Sequence, residues 1–98
     1  MVSIENGVAT FSFYRPGASQ VHLVGDFNHW QAGQLAMIHA GEGHWKATMM
    51  LPAGAYKFLY LVDGEWFTDY AAFGVDPGEH GWDSVLFVPP WQAGLEAA

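Results

Sequence analysis

Three sets of side chains in this 98-residue sequence have types and spacings that bear on chemistry: acids, histidines and tryptophans. The acids Asp26, Asp63, Glu65, Asp69, Asp76, Glu79 and Asp83 are candidates for a hydrolytic pair. A glycosidase needs two carboxylates facing each other across a cleft. Here the acids sit at turn positions, where aspartate commonly serves backbone geometry. The histidines His22, His29, His39, His44 and His80 form no HxxxH or HxH pair. "EHGWD" gathers Glu79, His80 and Asp83, but a metal needs three or four convergent ligands and polar loops often hold three such residues. There is no GxSxG, no phosphate loop and no cysteine nucleophile. Catalysis, a metal and a cofactor are therefore not expected.

The tryptophans are more informative. "GDFNHW", residues 25–30, places Phe27 and Trp30 in what reads as a turn, and Trp66 follows the turn dipeptide Asp63-Gly64. A flat indole covers the apolar C–H face of a pyranose without desolvating its hydroxyls. Trp30 and Trp66 thus have the chemistry of sugar platforms, each ring worth on the order of 1 kcal/mol beyond its buried area. The opposing reading is that both cap the core, because tryptophan is usually highly buried. Trp45, in phase with Ala47 and Met49, reads as core, whereas Trp82 and Trp91 fit either role.

Bulk composition narrows the partner. Apolar residues are 51% and charged residues 13%, so one folded domain is expected. The net charge is -7 and the cations are Arg15, Lys46 and Lys57. Phosphate neutralisation along nucleic acid needs several cations on one face, and an anionic membrane surface needs the same. A neutral ligand does not. Without cysteine there is no disulfide framework or thiolate zinc site. No signal peptide or apolar run of about 20 residues is visible, and a cytoplasmic location is the default expectation.

Short strands must position these residues. Glycine or proline interrupts the chain about every ten residues, which suggests a β-sandwich. "VATFSFY" (8–14) alternates, with Ala9, Phe11 and Phe13 on one face. "QVHLVG" (20–25), "HWKATMML" (44–51), "AYKFLYLV" (55–62) and "SVLFV" (84–88) read as further strands, and "DG" at 63–64 predicts a hairpin onto "EWFT". "QLAMIHA" (34–40) fits a strand or one helical turn; residues 69–83 read as irregular, with "DPG" as a turn. The expected organisation is one module over 1–90 and a tail over 91–98. In 55–62, Lys57, Leu59 and Leu61 share the face opposite Tyr56, Phe58, Tyr60 and Val62. Both faces are apolar except at Lys57, so the second face either packs against something or forms a contact surface.

"VHLVGDFNHWQ", "GEGHWKATMMLPAGAYKFLYLVDGEWFTD" and "DSVLFV", in that order, resemble the family-48 carbohydrate-binding modules over about residues 8–88. That family includes the glycogen-binding domain of the AMP-activated protein kinase β subunit and resembles the N-terminal domains of isoamylases and branching enzymes. The resemblance implies an all-β, immunoglobulin-like β-sandwich that binds α-1,4-linked glucans without catalysis. It matches the platform positions to Trp30 and Trp66, and it implies that Phe27 plugs the sandwich, Asn28 shapes the turn and Trp45 is buried.

Three positions depart from the family pattern. Leu59 stands where binding members often carry a sugar-reaching lysine, and Lys57 lies two residues earlier on the same face, about 7 Å away. Asp83 stands where an asparagine is frequent, and an ionised aspartate accepts hydrogen bonds but cannot donate them. Glu79 stands where a leucine often slots under the glucan. The expected carbohydrate-binding residues are Trp30, Trp66, Lys57 and Asp83. The competing expectation is a protein-interaction or regulatory domain with little sugar affinity. It would contact a partner protein, a neighbouring catalytic domain or a second copy through Leu59 and Leu61.

Overall fold

The computed structural model describes residues 1–70 and 72–90. Two antiparallel sheets pack face to face as an immunoglobulin-like sandwich. The elements are β1 (Val2–Glu5), β2 (Val8–Tyr14), β3 (Val21–Gly25), a 3-10 turn (Asp26–Asn28), β4 (Leu35–Ala36), β5 (Ile38–Gly41), β6 (His44–Met50), β7 (Gly54–Val62), β8 (Glu65–Phe67), β9 (Val75–Gly78) and β10 (Gly81–Val88). The first sheet has the order β1-β2-β6-β5. The second has β4-β3-β7-β10-β9, with β8 also paired to β7. The tail expected over 91–98, Trp91 included, lies outside the described residues.

The alternation read from the sequence points the strands inward as expected. Ala9, Phe11, Trp45, Phe58, Tyr60, Leu23 and Leu86 are buried between the sheets. Phe11 meets Phe58 edge-on at 5.2 Å between ring centroids, a favoured aromatic geometry. Two-residue turns with both central φ angles positive join β1 to β2 (Asn6, Gly7) and β7 to β8 (Asp63, Gly64). Such turns match the right-handed twist of the strands they connect.

One expectation needs correction, one resolves, and one strand is added. The "DPG" stretch lies in β9, which pairs with β10 through Asp76 opposite Asp83 and Pro77 opposite Trp82. Proline is tolerated there because β9 is an edge strand and its missing N–H costs no ladder bond. The turn falls instead at Glu79–His80, so β10 begins at Gly81 rather than Ser84. "QLAMIHA" is two short strands, β4 in one sheet and β5 in the other. The chain changes sheets at Met37, which is buried and donates its N–H to the Val21 carbonyl at 2.8 Å. β1 was not foreseen; it is the outermost strand of the first sheet.

Polar groups inside are paired in specific ways. The Tyr60 hydroxyl donates to Asp69 Oδ2 at 2.8 Å, and the Asp69 N–H donates to Ser84 Oγ at 2.8 Å. Burial, then the Asp69 charge and this bond, raise the Tyr60 pKa far above the ordinary tyrosine value. Among the described residues no helix is long and apolar enough to cross a membrane.

Candidate functional site

The site lies on the outer face of the second sheet and begins with the turn "GDFNHW". Gly25 ends β3 against β7. A Cβ on it would stand 2.5 Å from the Lys57 carbonyl oxygen and 2.8 Å from Phe58 Cβ, so only glycine fits. Phe27 then folds inward, edge-on to Phe11 at 5.7 Å. Asn28 is buried and ties the turn at both ends. Its Oδ1 accepts the Gly25 N–H at 3.0 Å, and its Nδ2 donates to the Gln31 carbonyl at 3.0 Å.

This closure drives the next two residues into left-handed backbone, His29 at φ 55° and Trp30 at φ 56°. That conformation is rare for a bulky residue and persists when the surroundings over-determine it. Here the Trp30 N–H donates to the Gly25 carbonyl at 2.9 Å. The Trp30 Nε1–H donates to Asp26 Oδ1 at 2.9 Å. Asp26 Oδ2 accepts the Lys57 N–H at 2.8 Å. One carboxylate therefore ties the indole of Trp30 to β7.

A cleft of about 190 Å³ opens beside this indole, lined by Asp26, Trp30, Lys57, Glu79, His80 and Asp83. The Lys57 ammonium pairs with Asp76 at 2.8 Å. That hydrogen bond and the Asp76 charge raise the lysine's pKa above its ordinary value. Asp83, the registered neighbour of Asp76 on β10, is buried, and its Oδ1 has no hydrogen-bond partner among the described residues. Burial raises its pKa, opposed by the positive charge of Lys57. Gly78 makes room for it, because a Cβ there would fall inside van der Waals contact with the Asp83 carboxylate.

Trp66 is registered opposite Leu61 and so stands on the same outer face as Lys57. It does not line the cleft. Its indole is stacked on the His80 imidazole, with ring centroids 4.1 Å apart and planes at 12°. Trp30, Lys57, Asp83 and Trp66 are thus assembled on one side of one sheet, and both indoles are partly exposed. Trp45 is in the core as expected.

Leu59 corrects an expectation. It lies on this outer face, registered opposite Val24, yet both residues are 0% exposed. Leu59 and Val24 fall outside the core cluster between the sheets. They form a second buried layer beneath the outer face, so Leu59 is not a contact surface. Leu61 is half-buried.

Sequence reasoning weighed Asp26 only as a hydrolytic carboxylate or a turn residue, and His80 only as a metal ligand. The i, i+4 spacing of Asp26 and Trp30 around a tight turn was a usable signal for the clamp. Nothing local signalled the His80–Trp66 stack, since the pair is joined through β8 and the β9–β10 turn. Other acids have assigned work: Asp63 accepts the N–H groups of Ser19 and Gln20. Among the described residues no three histidines or acids converge as a metal-binding group. A larger groove of about 950 Å³ at the start of β7 is walled by Val2, Ile4, Phe73, Phe87, Val88 and Pro90, with Ser3 as its polar side chain. It lacks the hydrogen-bonding groups that line the first cleft.

A β-sandwich presenting tryptophans and hydrogen-bonding side chains on one sheet face is the architecture of a carbohydrate-binding module. The family model described as the glycogen recognition site of AMP-activated protein kinase matches residues 8–80, and the chain belongs to that family. It is similar to a 1,4-alpha-glucan branching enzyme of Lactobacillus acidophilus, 42% identical over 58 residues, covering 59% of this chain and 9% of that enzyme. It is also similar to the 5'-AMP-activated protein kinase subunit beta-1 of Sus scrofa, 36% identical over 53 residues, covering 54% of this chain and 41% of the relative. The same subunit of Homo sapiens is 34% identical over 53 residues, covering 54% and 18%. The chain spans less than half the length of each of these relatives.

Proposed function

We propose that this chain is a non-catalytic module that binds α-1,4-linked glucan, glycogen or starch, on the outer face of its second sheet. The observation that carries the reading is the placement of Trp30, Lys57 and Asp83 around one cleft, with Trp66 stacked beside it on His80. Trp30 and Trp66 supply flat apolar platforms. Lys57 donates hydrogen bonds to sugar hydroxyls and Asp83 accepts them. Family membership and a relative named for glucan branching support a glucan ligand. The cleft is shallow and partly open, so the expected affinity is micromolar to millimolar, roughly 4 to 8 kcal/mol.

The test is co-sedimentation with glycogen and with starch, using cellulose as control. Trp30→Ala and Trp66→Ala should each lose retention while keeping the parent's circular dichroism. Parent-like retention by both variants places the site elsewhere. Leu59 is fully buried, so Leu59 and Leu61 do not form an exposed pair for self-association.

A further inference from the structure

His80 touches both the cleft of Trp30 and the ring of Trp66. It lines the cleft beside Trp30, and Trp66 does not. It also lies parallel to the Trp66 indole at 4.1 Å, which is stacking contact. The imidazole therefore occupies a face of Trp66 on the side of the cleft. A pyranose cannot use that face while His80 is there.

The turn carrying His80 is exposed, so the imidazole can rotate off the indole without moving the strands. It is a two-residue connection, Glu79–His80, between Gly78 and Gly81, which are registered opposite each other. Gly81 has φ 111°, a conformation that side chains rarely adopt. His80 is exposed, and among the described residues its side chain makes no hydrogen bond or ion pair; it meets the Trp66 ring and the charge of Asp83. A stack of this kind is modest in strength, comparable with the contact a glucose ring makes on the same indole.

We infer that His80 is a displaceable cover on Trp66, and that glucan binding exchanges the His80–Trp66 stack for a sugar–Trp66 stack. This rests on the proposed glucan site and adds to it. The cover lowers the affinity of the resting module and shields an apolar platform from unspecific contact. A ligand too short to reach past Trp30 does not displace it, so the cover favours longer chains.

The experiment is calorimetric titration of the chain with a linear α-1,4 glucose heptamer, for the parent, His80→Ala and His80→Phe. Removing the cover should tighten binding by roughly twofold to tenfold in His80→Ala, the range set by one aromatic stack. His80→Phe restores a flat ring over Trp66 and should bind no more tightly than the parent. Acrylamide quenching of tryptophan fluorescence should increase in His80→Ala alone. Unchanged or weaker binding by His80→Ala, with the parent binding normally, overturns the cover and leaves the glucan site standing. Tighter binding by His80→Phe overturns it too, since His80 would then be a third platform. No binding by the parent or any variant removes the glucan site and the cover with it.

Discussion

The Asp26 carboxylate holds the Trp30 indole: Nε1–H donates to Oδ1 at 2.9 Å, while Oδ2 accepts the Lys57 amide of β7 at 2.8 Å. Both oxygens are committed to donors, so asparagine cannot replace the carboxylate. Its amide would set a donor against one of the two N–H groups. Asp26→Asn should lower stability by about 1 kcal/mol, a fall of roughly 4–8 °C in Tm for a domain of this size. It should also weaken retention on glycogen. A thermal melt and a co-sedimentation assay check the two effects separately.

Gly25 is held by space rather than by φ. Its φ of -172° is ordinary extended backbone, but a methyl would meet the Lys57 carbonyl at 2.5 Å. That oxygen belongs to a central strand and cannot withdraw cheaply. Gly25→Ala should cost more than about 2 kcal/mol, read as a lower urea midpoint with an unchanged m-value.

His29 is exposed and left-handed, with φ 55°. Glycine adopts that conformation without the Cβ penalty, although it adds entropy to the unfolded chain. His29→Gly should gain about 0.5–1 kcal/mol and leave glycogen retention intact. A lower Tm would mean that the His29 side chain makes a compensating contact.

Leu59 is buried outside the main core, in contact range of no solvent. Leu59→Ala should cost about 2–5 kcal/mol, as for other buried leucines. Leu59→Glu should fail to fold, visible as loss of the near-ultraviolet circular dichroism signal. A folded Leu59→Glu monomer would contradict the second buried layer.

Asp83 carries the pH dependence. Burial raises its folded pKa above the unfolded value, so within that window the folded state binds more protons. Stability from this group is therefore fully present below the ordinary aspartate pKa of about 3.9 and declines as pH rises to the folded value. Asp83→Asn should be more stable than the parent at neutral pH, and the difference should vanish as pH falls below about 4. Melts of the two proteins across pH test this. A difference that grows on acidification contradicts the assignment.

Much of the fold was legible because strand alternation is local. Ala9, Phe11 and Phe13 on one face of β2, and Trp45, Ala47 and Met49 on one face of β6, point inward as their period of two requires. Asp63-Gly64 marked its hairpin for an equally local reason, the left-handed φ angles at both positions. Asn6-Gly7 carries the same signal, so β1 was readable too. β9 was not readable. Pro77 argues against a strand unless its edge position is known, and an edge is defined by neighbours far away in sequence.

The sequence by itself determined an all-β sandwich, a turn carrying two large aromatics, and an acidic chain unsuited to polyanions. Those follow from period, turn chemistry and charge, which act over a few residues or over the whole composition. Tertiary structure alone decided that Leu59 is buried on an outer face and that Asp26 reaches both Trp30 and β7. It also decided that His80 lies on Trp66. Each depends on which strands sit side by side: β3 beside β7 sets Val24 against Leu59, and β8 and β10, both paired to β7, bring Trp66 and the β9–β10 turn together. Burial is a sum over neighbours, and the sequence names a residue's neighbours only once the chain has closed.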